Sequence, residues 1–163
     1  MPDDEGFTQF VLESYATLLR RAFLLVGDHG RAEDLVQTSL ISVYPRWRRV
    51  NDPAAYLRTV MVRTAITWRS RRWSGETPTD PLPETTERPD GADEIALADA
   101  VRRALMELPP EQRAVVVLRY FEDCSEAETA SALGCSVGTV KSRGSRALAS
   151  LRASGLLAEE GVR

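Results

Sequence analysis

Apolar residues recur every three or four positions through both halves of the chain, and this spacing predicts α-helices. The first stripe consists of Phe7, Val11, Tyr15, Leu18, Ala22 and Leu25. Gly27 is expected to end this helix. Asp28 is suited to cap a second helix over residues 30–44, which places Glu33 and Asp34 in its first turn, where the helix dipole favours negative charge.

A third helix follows a break in the pattern. Pro45 is expected to end the second helix, because proline cannot continue the hydrogen-bond ladder. Asp52 is the predicted N-cap and Pro53 the first helical residue, where the missing N–H has no partner to lose. We expect this helix to extend to about Arg72.

Residues 74–93 lack any helical pattern. This segment contains four prolines and two glycines, and Leu82 is its only large apolar side chain. It therefore cannot bury a core or hold a long helix. We predict an all-α chain of two small helical domains, at 1–73 and 94–163, joined by an acidic, flexible, Pro-rich linker.

Helix signals are equally regular in the second domain. Residues 93–107 and 110–121 are predicted helices on either side of a proline pair. Ser125 and Glu128 form a capping box, in which each side chain accepts from the other residue's backbone N–H. The helix that they start is expected to end at Gly134.

The turn Gly134-Cys135-Ser136 joins that helix to the last one, and Ser136 is the expected N-cap of the last helix. A small residue at Ala130 lets the two helices cross closely, and Val140 fills the gap between them. This is the helix-turn-helix pattern. Many helical hairpins share the same packing, so the turn alone leaves DNA binding open.

The last helix is predicted to have two unlike faces. Its inward stripe consists of Val137, Val140, Gly144, Ala147, Leu148 and Leu151, and its outward face of Gly138, Lys141, Ser142, Ser145, Arg146 and Arg152. Gly144 would allow close helix packing, and Gly138 would leave first-turn N–H groups open to a phosphate. Lys141 and Arg146 can donate to guanine edges. The alternative is a solvated basic face with an accidental glycine.

Composition limits the class of protein. At 163 residues, 43% hydrophobic and 28% charged, the chain can build one medium core or two small ones and is unlike disordered chains. It has no long apolar run and starts with an acidic segment, so we expect a soluble cytoplasmic protein. Two cysteines and the single histidine, His29, do not supply a zinc site, and no cofactor is expected.

Charge is arranged in blocks, although the formal net charge is −3. Residues 46–72 hold eight arginines and one acid, residues 76–99 hold eight acids and one arginine, and residues 135–152 hold four cations and no acid. This order predicts two surfaces for polyanions with an acidic segment between them.

Two stretches together carry a family resemblance. LPPEQRAVVVLRYFEDCSEAETASALGCSVGTVKSRGSRALASLR resembles the C-terminal domain of bacterial extracytoplasmic-function (ECF) sigma factors, and AEDLVQTSL with DPAAYLRTVMVRTAITWRSRRW resembles their N-terminal domain. The short actinobacterial SigE-type factors are the most similar subgroup. The resemblance implies a dissociable subunit of RNA polymerase that recognises promoters and initiates transcription, and not an enzyme.

The resemblance also assigns residues to three surfaces. Docking on core polymerase is implied for Glu33, Asp34, Gln37, Thr38 and Leu40. Opening and reading of the minus-ten element is implied for Asn51, Asp52, Tyr56, Arg58, Arg63, Trp68, Arg69, Arg71 and Arg72. Reading of the minus-thirty-five element is implied for Arg119, Gly138, Thr139, Lys141, Ser142, Arg143, Ser145 and Arg146. A solvated helix start is the alternative for the docking residues, and core packing is the alternative for Tyr56 and Trp68.

The implied partners are promoter DNA and core polymerase, through its β′ clamp helices and β flap, with an anti-sigma factor as an additional partner. The linker resembles a strand threaded through polymerase channels, which suits its negative charge; a solubilising spacer is the alternative. A free-standing helix-turn-helix regulator would leave the N-terminal motifs unexplained, and a helical adaptor would bind protein only. A hydrolase or transferase lacks a nucleophile or metal constellation.

Overall fold

The computed structural model describes residues 4–73 and 92–155, with only the backbone described for 69–73 and 92. Its α-helices are α1 (Asp4–Val26), α2 (His29–Val43), α3 (Pro53–Trp73), α4 (Ala92–Glu107), α5 (Pro110–Val116), α6 (Glu126–Leu133) and α7 (Val137–Ala153). A 3₁₀-helix (Tyr44–Arg49) links α2 to α3, and a π-helical turn (Val117–Phe121) follows α5. No strand occurs in these ranges, and the all-α prediction is confirmed. The predicted linker lies outside the described residues except for its last two positions.

Two acidic residues cap helices of the N-terminal half as the sequence predicts. The carboxylate of Asp28 accepts from the Arg31 N–H at 2.9 Å, at the start of α2. The carboxylate of Asp52 accepts from the Ala55 N–H at 3.2 Å, at the start of α3. Each cap satisfies an N–H group that the helix itself leaves unpaired.

The helix-turn-helix has all three of its predicted signals. The Ser125 hydroxyl accepts from the Glu128 N–H at 3.0 Å, and the Glu128 carboxylate accepts from the Ser125 N–H at 2.8 Å. Gly134 ends α6 in the left-handed conformation, with φ +66°, which glycine adopts without steric cost. The Ser136 hydroxyl then caps α7 by accepting from the Thr139 N–H at 3.1 Å.

Three details differ from the sequence-based expectations. Because Asp28 caps a helix that begins at His29, no acid lies in the first turn of α2, and the first-turn placement of Glu33 and Asp34 is wrong. The helix predicted over 110–121 is α-helical only to Val116 and then widens into the π turn. Val137 is 38% exposed and not inward, because it is the first residue of α7 and precedes the buried part of the stripe.

One hydrophobic cluster contains side chains from both predicted domains. Its members include Leu18, Leu35, Val36, Leu57, Met61 and Val62 from α1 to α3, and Val117, Leu118, Cys124 and Ala132 from the C-terminal half. A second cluster joins α4 to α7, and a third packs Val115 against Ala130 and Val140. Helix α3 contacts both α5 and α6, so the two halves of the described chain lie directly against each other.

Arg113 connects three segments from within this packed region. Arg113 is only 3% exposed. Its guanidinium donates to four carbonyl oxygens at 2.7–3.3 Å, those of Leu25, Leu105, Met106 and Leu108. These carbonyls lie at the ends of α1 and α4, where backbone acceptors lack partners within the helix. One buried cation therefore ties the end of α1 to the end of α4.

Candidate nucleic-acid and protein-binding surfaces

Helix α7 exposes the basic face that its sequence predicts. The exposed residues are Gly138, Lys141, Ser142, Ser145 and Arg146, and the half-buried ones are Thr139 and Arg143. Val140, Gly144, Ala147 and Leu151 are buried on the opposite side. The outward face therefore carries hydrogen-bond donors and no acid, which suits the acceptor-rich edges of a DNA major groove.

A groove of about 290 Å³ runs between α7 and the π turn. Its lining includes Arg119, Tyr120, Lys141 and Ser145. The Arg119 guanidinium donates to the Cys124 carbonyl at 2.6 Å, so this predicted minus-thirty-five residue also holds the loop before α6. Sequence analysis missed Tyr120, which is 51% exposed; an aromatic residue directly after a basic one was the available signal.

The predicted polymerase-docking residues lie on α2 in two environments. Glu33, Asp34, Gln37 and Thr38 are exposed, whereas Leu40 is half-buried and packs against the shared cluster. Helical spacing places Ile41 on the same outward stripe as Asp34 and Thr38, and it is 72% exposed. Ile41 was not among the predicted docking residues, although its helical spacing from Asp34 and Thr38 was visible in the sequence.

A recess of about 500 Å³ lies where the 3₁₀-helix meets the start of α3. It is lined by Arg46, Arg49, Val50, Asn51, Asp52, Ala55, Tyr56 and Thr59. Three of the predicted minus-ten residues thus come together here. Arg46 and Arg49 were missed as site residues, although the basic block that contains them was visible in the sequence. The recess combines an aromatic ring, amide and carboxylate groups and two cations, which can hold an unstacked base and its phosphate.

Aromatic packing supports the 3₁₀-helix from behind. The ring centroids of Phe7 and Trp47 are 5.4 Å apart, and those of Phe10 and Trp47 are 5.1 Å apart. Tyr44 packs edge-to-face on Phe7 and donates to Asp4, and this hydrogen bond raises the pKa of the tyrosine. The beginning of α1 therefore positions the segment that supplies two arginines to the recess.

The arginines further along α3 contact the C-terminal half. The Arg63 guanidinium donates to the carbonyls of Ala132 at 2.9 Å and Ser131 at 3.3 Å. Arg58 is half-buried, and its Nε has no hydrogen-bond partner among the described residues. Trp68 is half-buried against the shared cluster. The side chains of Arg69, Arg71 and Arg72 lie outside the described residues.

Charges from α3 reach the loop that precedes α6. Burial raises the pKa of the Cys124 thiol, and Arg58 and Arg21 partly oppose that rise. The Ser125 backbone N–H lowers the pKa of Glu128, with a smaller contribution from Arg58. Arg58 thus lies close enough to act electrostatically on two groups of the other half.

Neither a cluster of metal ligands nor a membrane-spanning helix is found in the described part of the chain. Within residues 4–73 and 92–155, no group of three or more potential metal ligands comes together. No helix in the same ranges has both the length and the apolar character needed to cross a bilayer.

Both halves of the chain match known protein families. Residues 10–75 match the family described as Sigma-70 region 2, and residues 98–151 match Sigma-70, region 4. The RNA polymerase sigma-E factor of Streptomyces coelicolor is 44% identical over 149 residues, which cover 90% of this chain and 84% of that protein. The ECF RNA polymerase sigma factor SigM of Mycobacterium tuberculosis is 35% identical over 152 residues, covering 91% and 76%.

Solved structures agree with the architecture. The sigma factor RpoE from Bartonella quintana, in complex with the anti-sigma factor NepR, superposes with a TM-score of 0.73 at 25% identity, over 92% of this chain and 96% of that one. CnrH, in complex with the cytosolic domain of CnrY, has a TM-score of 0.67 at 24% identity, over 98% and 92%. The second likeness shows the fold alone.

The chain belongs to the sigma-70 family of RNA polymerase sigma factors. It confers promoter recognition on bacterial core polymerase and takes part in the initiation of transcription. Within that family it is an ECF sigma factor, similar to the SigE-type factors of actinobacteria.

Proposed function

We propose that three surfaces divide the work of initiation. The outward stripe of α2, centred on Asp34 and Gln37, docks on the β′ clamp helices of core polymerase. The recess beside Asn51 and Tyr56 captures the opened minus-ten strand. The outward face of α7 reads the minus-thirty-five duplex through Lys141 and Arg146.

The observation that carries this proposal is that the two basic surfaces differ in chemical character, and each is suited to a different form of DNA. The recess is a cavity with an aromatic wall and is suited to a single flipped base. The outward face of α7 presents exposed donors and has no aromatic residue on the helix itself, so it is suited to a duplex groove. A promoter offers these two forms of DNA only when it has been partly opened, and opening is what a sigma factor on core polymerase brings about.

The same reasoning extends to organisation and partners. We assign polymerase binding and minus-ten recognition to 1–73 and minus-thirty-five recognition to 94–163, with 74–93 as the connecting segment. The protein itself supplies no catalysis, and its place of action is the cytoplasm, where core polymerase is found. The likeness to RpoE bound to NepR supports an anti-sigma factor as a further partner, and the β flap is the partner of the C-terminal domain.

In vitro transcription with purified core polymerase tests the proposal. Wild-type protein is expected to produce specific start sites across a library of genomic fragments. Asp34→Ala should reduce core binding, and Lys141→Ala with Arg146→Ala should reduce promoter use at unchanged core binding. Arg103→Ala removes a cation whose side chain is 66% exposed and which belongs to none of the three surfaces, and it should leave every readout unchanged.

Two results would replace this proposal. If the protein retains duplex DNA tightly without polymerase and gives no start sites, it acts as a free-standing regulator. If the Lys141 and Arg146 changes leave all binding unaltered, the α7 face is not a DNA-reading surface and a protein-binding adaptor is the better description.

A further inference from the structure

Arg63 belongs to the helix predicted to bind promoter DNA, yet its guanidinium lies on the turn of the helix-turn-helix. Its two hydrogen bonds go to Ala132 and Ser131, at the C-terminal end of α6. The last carbonyls of a helix carry the negative end of the helix dipole and lack the usual i+4 partners. That of Ser131 also accepts from the Gly134 N–H at 3.3 Å. Arg63 is exposed, and its guanidinium acts as a solvent-accessible C-terminal cap supplied by another part of the chain.

The turn is shaped to admit that guanidinium. Gly134 follows the capped carbonyls, and a Cβ built on it would lie 3.3 Å from Nη2 of Arg63, closer than most Cβ contacts. The positive φ already favours glycine at this position. The absence of a side chain therefore serves both the turn and the contact with α3.

Other contacts hold the same two surfaces together. Arg21 of α1 pairs with Glu122, and the two side chains are 9% and 16% exposed. Arg58 acts electrostatically on Glu128 and Cys124. Cys124 is itself a member of the cluster shared by both halves. The contact of α3 with α6 is thus part of a continuous interface between the two predicted domains.

We propose that Arg63 is a latch between the two domains, whose guanidinium binds either the end of α6 or a phosphate of the minus-ten strand, but not both. The closed arrangement is then an inactive one, and opening makes Arg63 available to DNA. This inference rests on the proposed function, because it concerns the regulation of the same minus-ten surface.

Molecular dimensions support the need for opening. A compact chain of about 130 residues has a radius of gyration of about 14 Å, and hence a diameter of roughly 40 Å. Promoter elements centred about 25 base pairs apart are separated by about 85 Å along B-form DNA, at 3.4 Å per base pair. The closed body cannot reach both elements, so the latch must release before the complete promoter is read.

The reactivity of Cys124 provides a test on the free protein. Cys124 is 3% exposed in the closed form, so attack by a disulfide reagent on its thiol requires opening. The experiment measures this rate in a Cys135→Ser background, which removes the half-buried second thiol. Arg63→Met keeps the aliphatic stem and removes the two charged hydrogen bonds, and it is expected to raise the rate about tenfold.

Arg49→Met is the matched control. It removes an exposed arginine from the neighbouring recess without touching the domain interface. The latch predicts that Arg49→Met leaves the Cys124 rate at the parent value. Equal rates in Arg63→Met and the parent would overturn the proposal, as would an equal acceleration in both variants.

Urea distinguishes domain opening from global unfolding. Opening exposes only the interface, so the logarithm of the rate should increase with urea less steeply than the free energy of unfolding decreases. A rate that follows global unfolding at the same slope would contradict the latch. Because no polymerase or promoter is present, failure here leaves the proposed function intact, and failure of transcription leaves this measurement valid.

Discussion

Helices α3 and α7 are both basic and both predicted to bind DNA, but their cations have different environments. In α7, Lys141 and Arg146 are exposed. In α3, Arg58 is half-buried, and Arg63 is exposed but donates to carbonyls of α6. Basic composition therefore identifies a nucleic-acid surface directly only where no other part of the fold uses the same cations.

The difference also separates two ways of controlling a surface. The α7 face is ready to bind as folded, whereas the α3 face is complete only when the domains separate. The recess at the start of α3 lies between these cases, because Arg49 is exposed while the helix continues into the interface. Promoter opening thus involves a surface on which Arg63 is already bound to α6 in the closed protein.

The largest expected effect concerns the buried Arg113, which ties the end of α1 to the end of α4. Arg113→Met removes a donor from four carbonyls and should lower the free energy of unfolding by about 3–4 kcal/mol, because the carbonyls of Leu25, Met106 and Leu108 lose that donor at a buried site. The Leu105 carbonyl keeps the Leu108 N–H as a partner. Urea denaturation followed by circular dichroism measures it. Arg103→Met, at an exposed ion pair, should cost less than about 0.5 kcal/mol. Similar losses in both variants would show that the enclosed cations contribute no more than surface ones.

The next largest effect is expected on promoter affinity, at the exposed face of α7. Lys141→Ala should weaken binding of the holoenzyme to promoter DNA by about tenfold or more, since a cation on a base edge contributes about 1–3 kcal/mol. Its side chain is exposed, so stability should not change. Gel-shift titration at fixed salt gives the affinity and thermal melting gives the stability. A loss of stability without a loss of affinity would mean that Lys141 contributes to folding and not to DNA binding.

Two glycines give a further comparison of α7 with the turn beside α3. Replacing either should change the free energy of unfolding by about 1 kcal/mol. A Cβ at Gly144 would meet Val115 at 3.5 Å, an ordinary contact, so Gly144→Ala should stabilise by up to about 1 kcal/mol through helix propensity. Gly134→Ala should destabilise by about the same amount, because its φ is +66° and Arg63 lies beside it. Denaturant midpoints of the two variants, compared with the parent, are expected to shift in opposite directions. Two shifts of the same sign would contradict this account.

The smallest effect is a pH dependence at the capping box. The Ser125 N–H lowers the pKa of Glu128 below its ordinary value of 4.5. A lowered pKa in the folded state means that the stabilisation is complete above about pH 4.5 and disappears as the pH falls through the lower folded value. The melting temperatures of wild type and Glu128→Gln should therefore converge in acid. A constant difference down to pH 3 would exclude the carboxylate as its source.

Local signals in the sequence predicted the helices and most of the α7 face. Caps at Asp28, Asp52, Ser125 and Ser136 act between residues three apart, so the sequence alone contains both partners of each interaction. Gly134 was likewise predictable, because a left-handed turn favours glycine wherever it occurs. These features depend little on the rest of the fold.

Contacts between distant residues could not be predicted in the same way. Arg63 and Ala132 are 69 positions apart, and no pattern near either residue indicates the other. Ile41 and Arg49 were missed for a different reason, because their exposure depends on how α2 and the 3₁₀-helix are oriented on the core. The resemblance to sigma factors assigned residues to surfaces but did not describe what the closed chain does with them.

The aromatic packing at the beginning of α1 has a practical consequence for handling the protein. Phe7 and Phe10 support Trp47, which belongs to the same 3₁₀-helix as Arg46 and Arg49. Trimming the first ten residues, a routine step when crystals are sought, would remove that support from a segment more than thirty positions away. A shortened protein could then keep its helices, its DNA-reading α7 and its solubility, and still melt promoters poorly.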